Sequence, residues 1–453
     1  MATGMGLGLV SAAAIPPAVV WPAPDYAAAA AVVRDLFRFL GLDACNPVGA
    51  WIRPGMTVAI KPNWVKHEFG DTAGRHVLYT HAALLGALIG AALQALRGKG
   101  RVYVADAPLQ GCDFARLRQQ SGLAELEAHY AGAPVAFLDL RQQCAQIDDA
   151  SSFVRSAHAL PGDPNGYSLV DLGARSRLAA LGAMARFAVT DYRAETTNRQ
   201  HHGAHRYSVS NSVLAADVIL NVPKLKTHMK TGMTGALKNF VGIVGSKDFL
   251  PHFRAGSPRA GGDEYPDGSW ASRVASPVRE LLQTRAPLWI WKLARAGGRA
   301  APPPLIQGGA WPGNDTLWRT IHDLVDIARN YGAGGLPRER PRPILTLVDA
   351  IVAGEDRGPL KPRRKPCGLL VWGEDPGVVD VACATLMGFD WRRIPLLGHL
   401  CDAEARAFTG FDGQPAFCAP TAALEEFVRT GAGRFQAPPG WAGEIEQGEK
   451  SRL

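Results

Sequence analysis

The sequence has no CxxC pair. Its seven cysteines, Cys45, Cys112, Cys144, Cys367, Cys383, Cys401 and Cys418, are odd in number and at least sixteen residues apart. That spacing excludes a zinc ribbon and a ferredoxin-like run, so no iron–sulfur cluster is expected, and most of the cysteines should be buried, reduced thiols. Long apolar runs are also lacking. The best candidate, Ala82 to Leu96, is broken by Gly86, Gly90 and Gln94 and is too short to span a membrane. No Lys or Arg precedes or interrupts the small, apolar stretch Met1 to Val20. It therefore lacks the charged leader of a secretory signal and reads as a flexible arm, residues 1–26, of a cytoplasmic protein. A Walker loop, GxxxxGK[ST], is absent, as is any internal repeat.

What is present is an ordinary globular composition: 453 residues, 47% hydrophobic and 20% charged, with 50 Gly and 33 Pro. The length allows two or three domain-sized units and a sizeable core. Short apolar strands alternate with helical patterns. Strands are expected at Thr57–Ile60, Arg101–Ala105, Val135–Leu140, Ala216–Val222, Ile344–Val348 and Gly368–Trp372. Helices are expected at Ala27–Leu40, Thr80–Leu96, Asp113–Tyr130, Thr316–Tyr331 and Pro376–Met387. This order predicts an α/β fold, a parallel or mixed sheet flanked by helices, as a single large unit with room for two lobes. The core is assigned to 27–254 and 316–400. Residues 255–315, rich in Gly, Pro and Trp (Trp270, Trp289, Trp291, Trp311), read as a long loop-rich insertion or lid, and 401–453 as a C-terminal extension with a frayed tail after Gln436.

Chemistry concentrates in Asn221–Gly245, NVPKLKTHMKTGMTGALKNFVGIVG, which begins where an apolar strand ends. Loops after strand ends carry ligands in parallel sheets. Lys224, Lys226 and Lys238 supply point charges, Thr227, Thr231, Thr234 and Asn239 supply hydrogen bonds, and glycines let backbone N–H groups approach an anion. Lys61 and Asn63, in Ile60-Lys61-Pro62-Asn63, sit at another strand end on a turn stiffened by proline. His228 is the candidate proton-transfer residue or metal ligand, because an unperturbed histidine titrates near neutral pH. Asp349, Glu355 and Asp356 follow the 344–348 strand in a loop bounded by Gly and Pro, where carboxylates can act as base or hold a metal. His81, Asp106 and Asp356 are the candidate ligands for a divalent metal. His201, His202 and His205 read as a surface loop.

The net charge of +8 is local. Val222–Arg254 holds six basic residues and one acidic residue, Arg357–Lys365 holds five basic and no acidic, and the rest of the chain is net −2. Focused charge favours a small anion over nucleic acid or membrane as partner, and neither basic segment interleaves aromatics as single-strand binders do.

These segments together resemble the family known only as domain of unknown function 362. The resemblance rests on IKPN at 60–63, TH at 80–81, VADAP at 104–108, ADVILNVPKLKTH at 216–228, TGMTGALKNFVGIVG at 231–245, VDAIVAGEDRGP at 348–359 and GEDPGVVDVACATLMG at 373–388, in order across about 28–400. Many members carry a ferredoxin-like module or twin-arginine leader that this chain lacks. The resemblance implies an enzyme, and by analogy redox chemistry in a biosynthetic pathway on a small carboxylate or phosphate metabolite, with His228, Lys238, Asp349 and Glu355 in catalytic roles. A fainter similarity to the lactate racemase superfamily implies an alternative, a metal- or nickel-pincer-type racemase or epimerase. There Lys238 would tether a nucleotide-type cofactor and His228 and His81 would serve the metal or the proton transfer. The remaining alternatives are a nucleic-acid-binding protein and a non-catalytic partner protein.

Overall fold

The computed structural model describes residues 18–23, 25–67, 77–147, 154–182, 185–189, 204–268, 273–274, 308–414, 417–418, 427 and 433–448. His201, His202, Trp270, Trp289 and Trp291, and with them most of the expected insertion, lie outside these residues. A mixed sheet forms the centre. Its strands are β1 (Ala18–Pro22), β2 (Thr57–Pro62), β3 (Arg101–Asp106), β4 (Val135–Asp139), β5 (Val218–Val222), β6 (Lys224–His228), β7 (Gly232–Thr234), β8 (Ile344–Arg357), β9 (Lys361–Gly373) and β10 (Phe417–Cys418). The order is β10-β1-β9-β8-β5-β2-β3-β4, with β6 paired to β8 and β7. β8-β5-β2-β3-β4 is parallel throughout, while β9 runs antiparallel to both β8 and β1.

Period-two alternation sends strand residues to two cores. Val58, Ile60, Val102, Val104, Val218 and Leu220 pack with α1 (Ala29–Phe39) and α2 (Ala82–Leu96). Ala59, Ala105, Ile219 and Val348 face the other side, with α5 (Leu317–Asn330) and α6 (Pro376–Leu386). The stretch 113–130 is two helices rather than one, α3 (Phe114–Gln120) and α4 (Leu123–His129), because Gly122 adopts a left-handed conformation (φ 76°) between them.

Five other expectations change. Residues 349–357 are not a loop: β8 runs fourteen residues and eleven of them pair with the thirteen-residue β9, so the basic run 361–365 is the returning arm of a hairpin. The N-terminal arm contributes β1 and Tyr26 to the packed structure. The tail after Gln436 also packs, since Trp441 and Ile445 are buried. Finally, His205 is buried, and only Cys112 and Cys383 of the described cysteines are.

Arg342 ties elements together where no side chain partner is acidic. Fully buried, it donates to the carbonyls of Leu214, Ala216, Ala328 and Tyr331, closing the end of α5 against the segment that leads into β5. Arg342→Ala orphans these carbonyls and leaves a void. It should lower the unfolding free energy by about 3 kcal/mol, as read by urea denaturation, and a loss under about 1 kcal/mol would show that water replaces the guanidinium.

Candidate functional site

The strand order reverses between β2 and β5, with β3 and β4 on one side and β8 and β9 on the other. Ligands in open α/β sheets bind beyond the carboxyl ends of the strands at such a switch point. Here a cavity of about 340 Å³ opens there, lined among others by Asn63, Trp64, Asp106, Lys226, His228, Lys230, Thr234, Lys238, Asn239, Lys247, His252 and Arg357.

Two asparagines close the switch point. Asn239 donates through Nδ2 to the carbonyl of Lys61 (2.9 Å) and to Oδ1 of Asn221 (2.8 Å), bridging β2 and β5. Its Oδ1 receives Lys61 Nζ and Asn63 Nδ2, each at 3.3 Å. Lys61 is buried and ion-paired with Asp106 at the end of β3 (2.7 Å). Burial pulls its pKa down and Asp106 opposes that shift. The second oxygen of Asp106 accepts the Trp64 backbone N–H (2.5 Å). Gly242 packs so closely here that any Cβ would run into the Asp106 carboxylate.

The segment read as a loop after Pro223 is strand β6, wholly buried. Its alternation puts Leu225 in the core and Lys224, Lys226 and His228 on the opposite face. The three have different environments. Lys224 makes a buried ion pair with Asp349 (3.0 Å) and donates to the Tyr26 hydroxyl (2.6 Å), which donates to Asp349 (2.9 Å). Lys226 has no carboxylate; it donates to Asn63 Oδ1 (2.6 Å) and the Leu78 carbonyl (2.7 Å). Burial, together with Lys224 and Lys238, holds it well below the usual lysine range.

His228 accepts the Lys230 backbone N–H at Nδ1 (3.1 Å), so the neutral ring carries its proton on Nε2. His252 has the opposite tautomer: its Nδ1 donates to the Leu250 carbonyl (2.7 Å), which leaves Nε2 an acceptor. Burial and the surrounding lysines hold both rings well below the ordinary histidine pKa. Lys238 lines the cavity half-buried, and burial with Lys247 and Lys230 brings it down to about 7. Lys247, buried and touching the Ala107 carbonyl at 3.4 Å, is brought down by burial to about 8. The turn before Lys238 is pinned by Asp380 of α6, whose carboxylate accepts the Ala236 (2.6 Å) and Leu237 (2.9 Å) amides; burial raises its pKa to about 7.

The structure thus brings Asn63, Asp106, Lys226, His228, Thr234, Lys238 and Asn239 to one cavity. Lys61 and Lys224 stand behind it in ion pairs. Thr227 donates to the Asp356 carbonyl and Thr231 to the Met233 carbonyl, so both shape turns. His81 caps α2, its backbone N–H meeting Asp349. Glu355 is engaged by Arg363 (2.8 Å) and the Gln436 backbone (2.9 Å). His81, Asp106 and Asp356 are therefore in three separate settings, and no group of three His, Cys, Asp or Glu side chains suited to a metal occurs among the described residues. Sequence reading missed Trp64, His252 and Asp380 and assigned no role to Lys230, Lys247 or Arg357. Asp380 carried a signal, a lone carboxylate within the apolar run PGVVDVACATLM; His252 carried none.

Residues 162–385 match the family model described as Domain of unknown function (DUF362). The matched segment includes every cavity residue from Lys226 onward, whereas Asn63, Trp64 and Asp106 precede it. No curated protein matches the chain. A crystal structure of a protein from Thermotoga maritima aligns at 12% identity over 78% of this chain, with a TM-score of 0.33. The chain spans 56% of that protein's length. Among the described residues no helix is long and apolar enough to cross a membrane.

Lys224→Met separates the structural from the cavity lysines. It leaves Asp349 buried without its cation and should lower stability by about 3–5 kcal/mol, as read by urea denaturation. A variant as stable as the wild type would show that Tyr26 and the His81 amide satisfy Asp349 without Lys224.

Proposed function

Starting from residues 162–385 as a domain of the DUF362 family, we propose that the protein is a cytoplasmic enzyme whose cavity binds a small carboxylate or phosphate metabolite and moves a proton on it. One observation carries this reading: Lys226, Lys230, Lys238, Lys247 and Arg357 converge on one cavity whose only described carboxylate, Asp106, is already paired with Lys61. Cations in a partly desolvated cavity bind anions far better than the same cations spread on a surface. That also supports a small anion over nucleic acid. Trp64 adds a buried indole N–H with no acceptor among the described residues.

The two histidines supply opposite functions at the same pH. His252 presents a lone pair at Nε2 and is the base; His228 presents Nε2–H and is the donor to an oxygen that gains negative charge. This pair serves oxidation of a hydroxyl-bearing carbon, where the base takes the hydroxyl proton and a bound hydride-accepting nucleotide-type cofactor would take the hydride, and equally epimerisation beside a carboxylate, the second reading. The phosphates of a nucleotide-type cofactor would meet the same cations.

An anion prefers lysines in their ammonium form. Free Lys238 and Lys247 lose protons as pH rises through about 7 and about 8, and an anion seated on Lys247 pulls the proton back onto it. Phosphate should therefore bind most tightly below pH 7 and progressively more weakly through pH 8. Calorimetry in buffers of different ionisation enthalpy should show proton uptake at the upper end. Lys247→Ala should weaken binding roughly tenfold. Absence of phosphate and small-carboxylate binding at low salt would sink the proposal.

A further inference from the structure

The lysines of the site differ in what holds their ammonium groups. Lys61 and Lys224 are ion-paired, Lys226 is fixed by two oxygens, and Lys247 touches a carbonyl. Lys230 lies 5.5 Å over the Phe253 ring. Lys238 alone among them has no partner among the described residues. Its backbone, by contrast, is fixed on both sides: Asp380 grips Ala236 and Leu237 before it, and Asn239 after it is locked to Lys61 and Asn221. A side chain free to reach, on a rigid mount, among cations that would seat a carboxylate, is the arrangement of a nucleophilic amine rather than of an anion clamp.

We infer that Lys238 is a Schiff-base lysine and that the cavity takes an oxo acid, a carboxylate with a carbonyl carbon close to it. This rests on the cavity being an anion site. Lys247 and Lys230 hold the carboxylate and His228 Nε2–H faces the carbonyl oxygen. Lys238 gives one proton to His252 Nε2, and its Nζ lone pair forms the bond to the carbonyl carbon while the C=O π pair moves to oxygen. That oxygen then gains two protons, one from Nζ and one returned by His252, and leaves as water. The product is a C=N bond with a protonated nitrogen, an electron sink for removing a neighbouring proton or carboxyl group. The depressed pKa of Lys238, about 7, agrees with this role. At pH 7 it leaves about a thousandfold more free amine than an ordinary lysine has.

The test is reductive trapping of the full-length protein with pyruvate and cyanoborohydride, whose hydride converts the iminium into a stable secondary amine. Peptide mass mapping should find the adduct on Lys238 at least about tenfold ahead of any other lysine. Phosphate should suppress it, and its rate should rise through pH 7 rather than near 10. Lys238→Arg, which keeps a cation but has no amine able to form an iminium, should lose the adduct. If phosphate binds but pyruvate labels Lys238 no faster than surface lysines, the Schiff base is wrong and the anion site stands. If neither phosphate nor pyruvate binds, both fall. Should the arginine variant fail to fold, trapping on the wild-type protein decides alone.

Discussion

Positive charge placed out of water with too little negative charge beside it is the constraint on which the site depends. Removing an ammonium from water costs several kcal/mol unless a carboxylate and further hydrogen bonds accompany it. The fold meets that cost in full for Lys61, with Asp106, and for Lys224, with Asp349. It meets it in part for Lys226, through neutral oxygens. For Lys238 and Lys247 it leaves the imbalance standing, and their pKa values fall accordingly. On the proposed reading a bound anion would complete the balance, so that anion affinity and the reactivity of Lys238 would share one electrostatic origin.

The sheet converts that imbalance into geometry. β2, β3 and β5 are parallel and end together, and Asn239 spans β2 and β5 with the two N–H donors of its amide. Gly242 lets the chain pass against Asp106 at a distance no side chain permits. β6 continues the line of β5 but pairs with β8, which carries Lys226 and His228 over the end of β2. The tip of the β8–β9 hairpin, at Gly358–Leu360, forms another wall of the same cavity.

Much of this was legible in the sequence. Apolar runs such as ADVILNV and RVYVA are buried on both faces and can hardly be anything but central strands of an α/β sheet. The lysine-rich segment after ADVILNV supplies much of the lining of the cavity. What could not be read was the division of labour among its cations. Lys61 and Lys238 look alike in sequence, yet one is neutralised by a residue 45 positions away and the other is left free. Long pairings hid equally well. Residues 361–365 are charged enough to read as a loop, but each pairs antiparallel with β8, and Glu355 takes up Arg363. Trp441 was hidden by the polar residues around it.

Trp441 has a consequence in time. Its indole donates to the Met229 carbonyl (2.7 Å) and its ring lies against Gly232, so it braces the turn that carries Lys230. Those partners are 212 residues apart in the chain. At ordinary rates of synthesis, roughly 10–40 s pass between the appearance of that turn and of its brace. The strands at the centre can pair well before then, so the growing chain carries a finished scaffold with an unfinished mouth. The cavity wall is set only once Trp441 has left the ribosome.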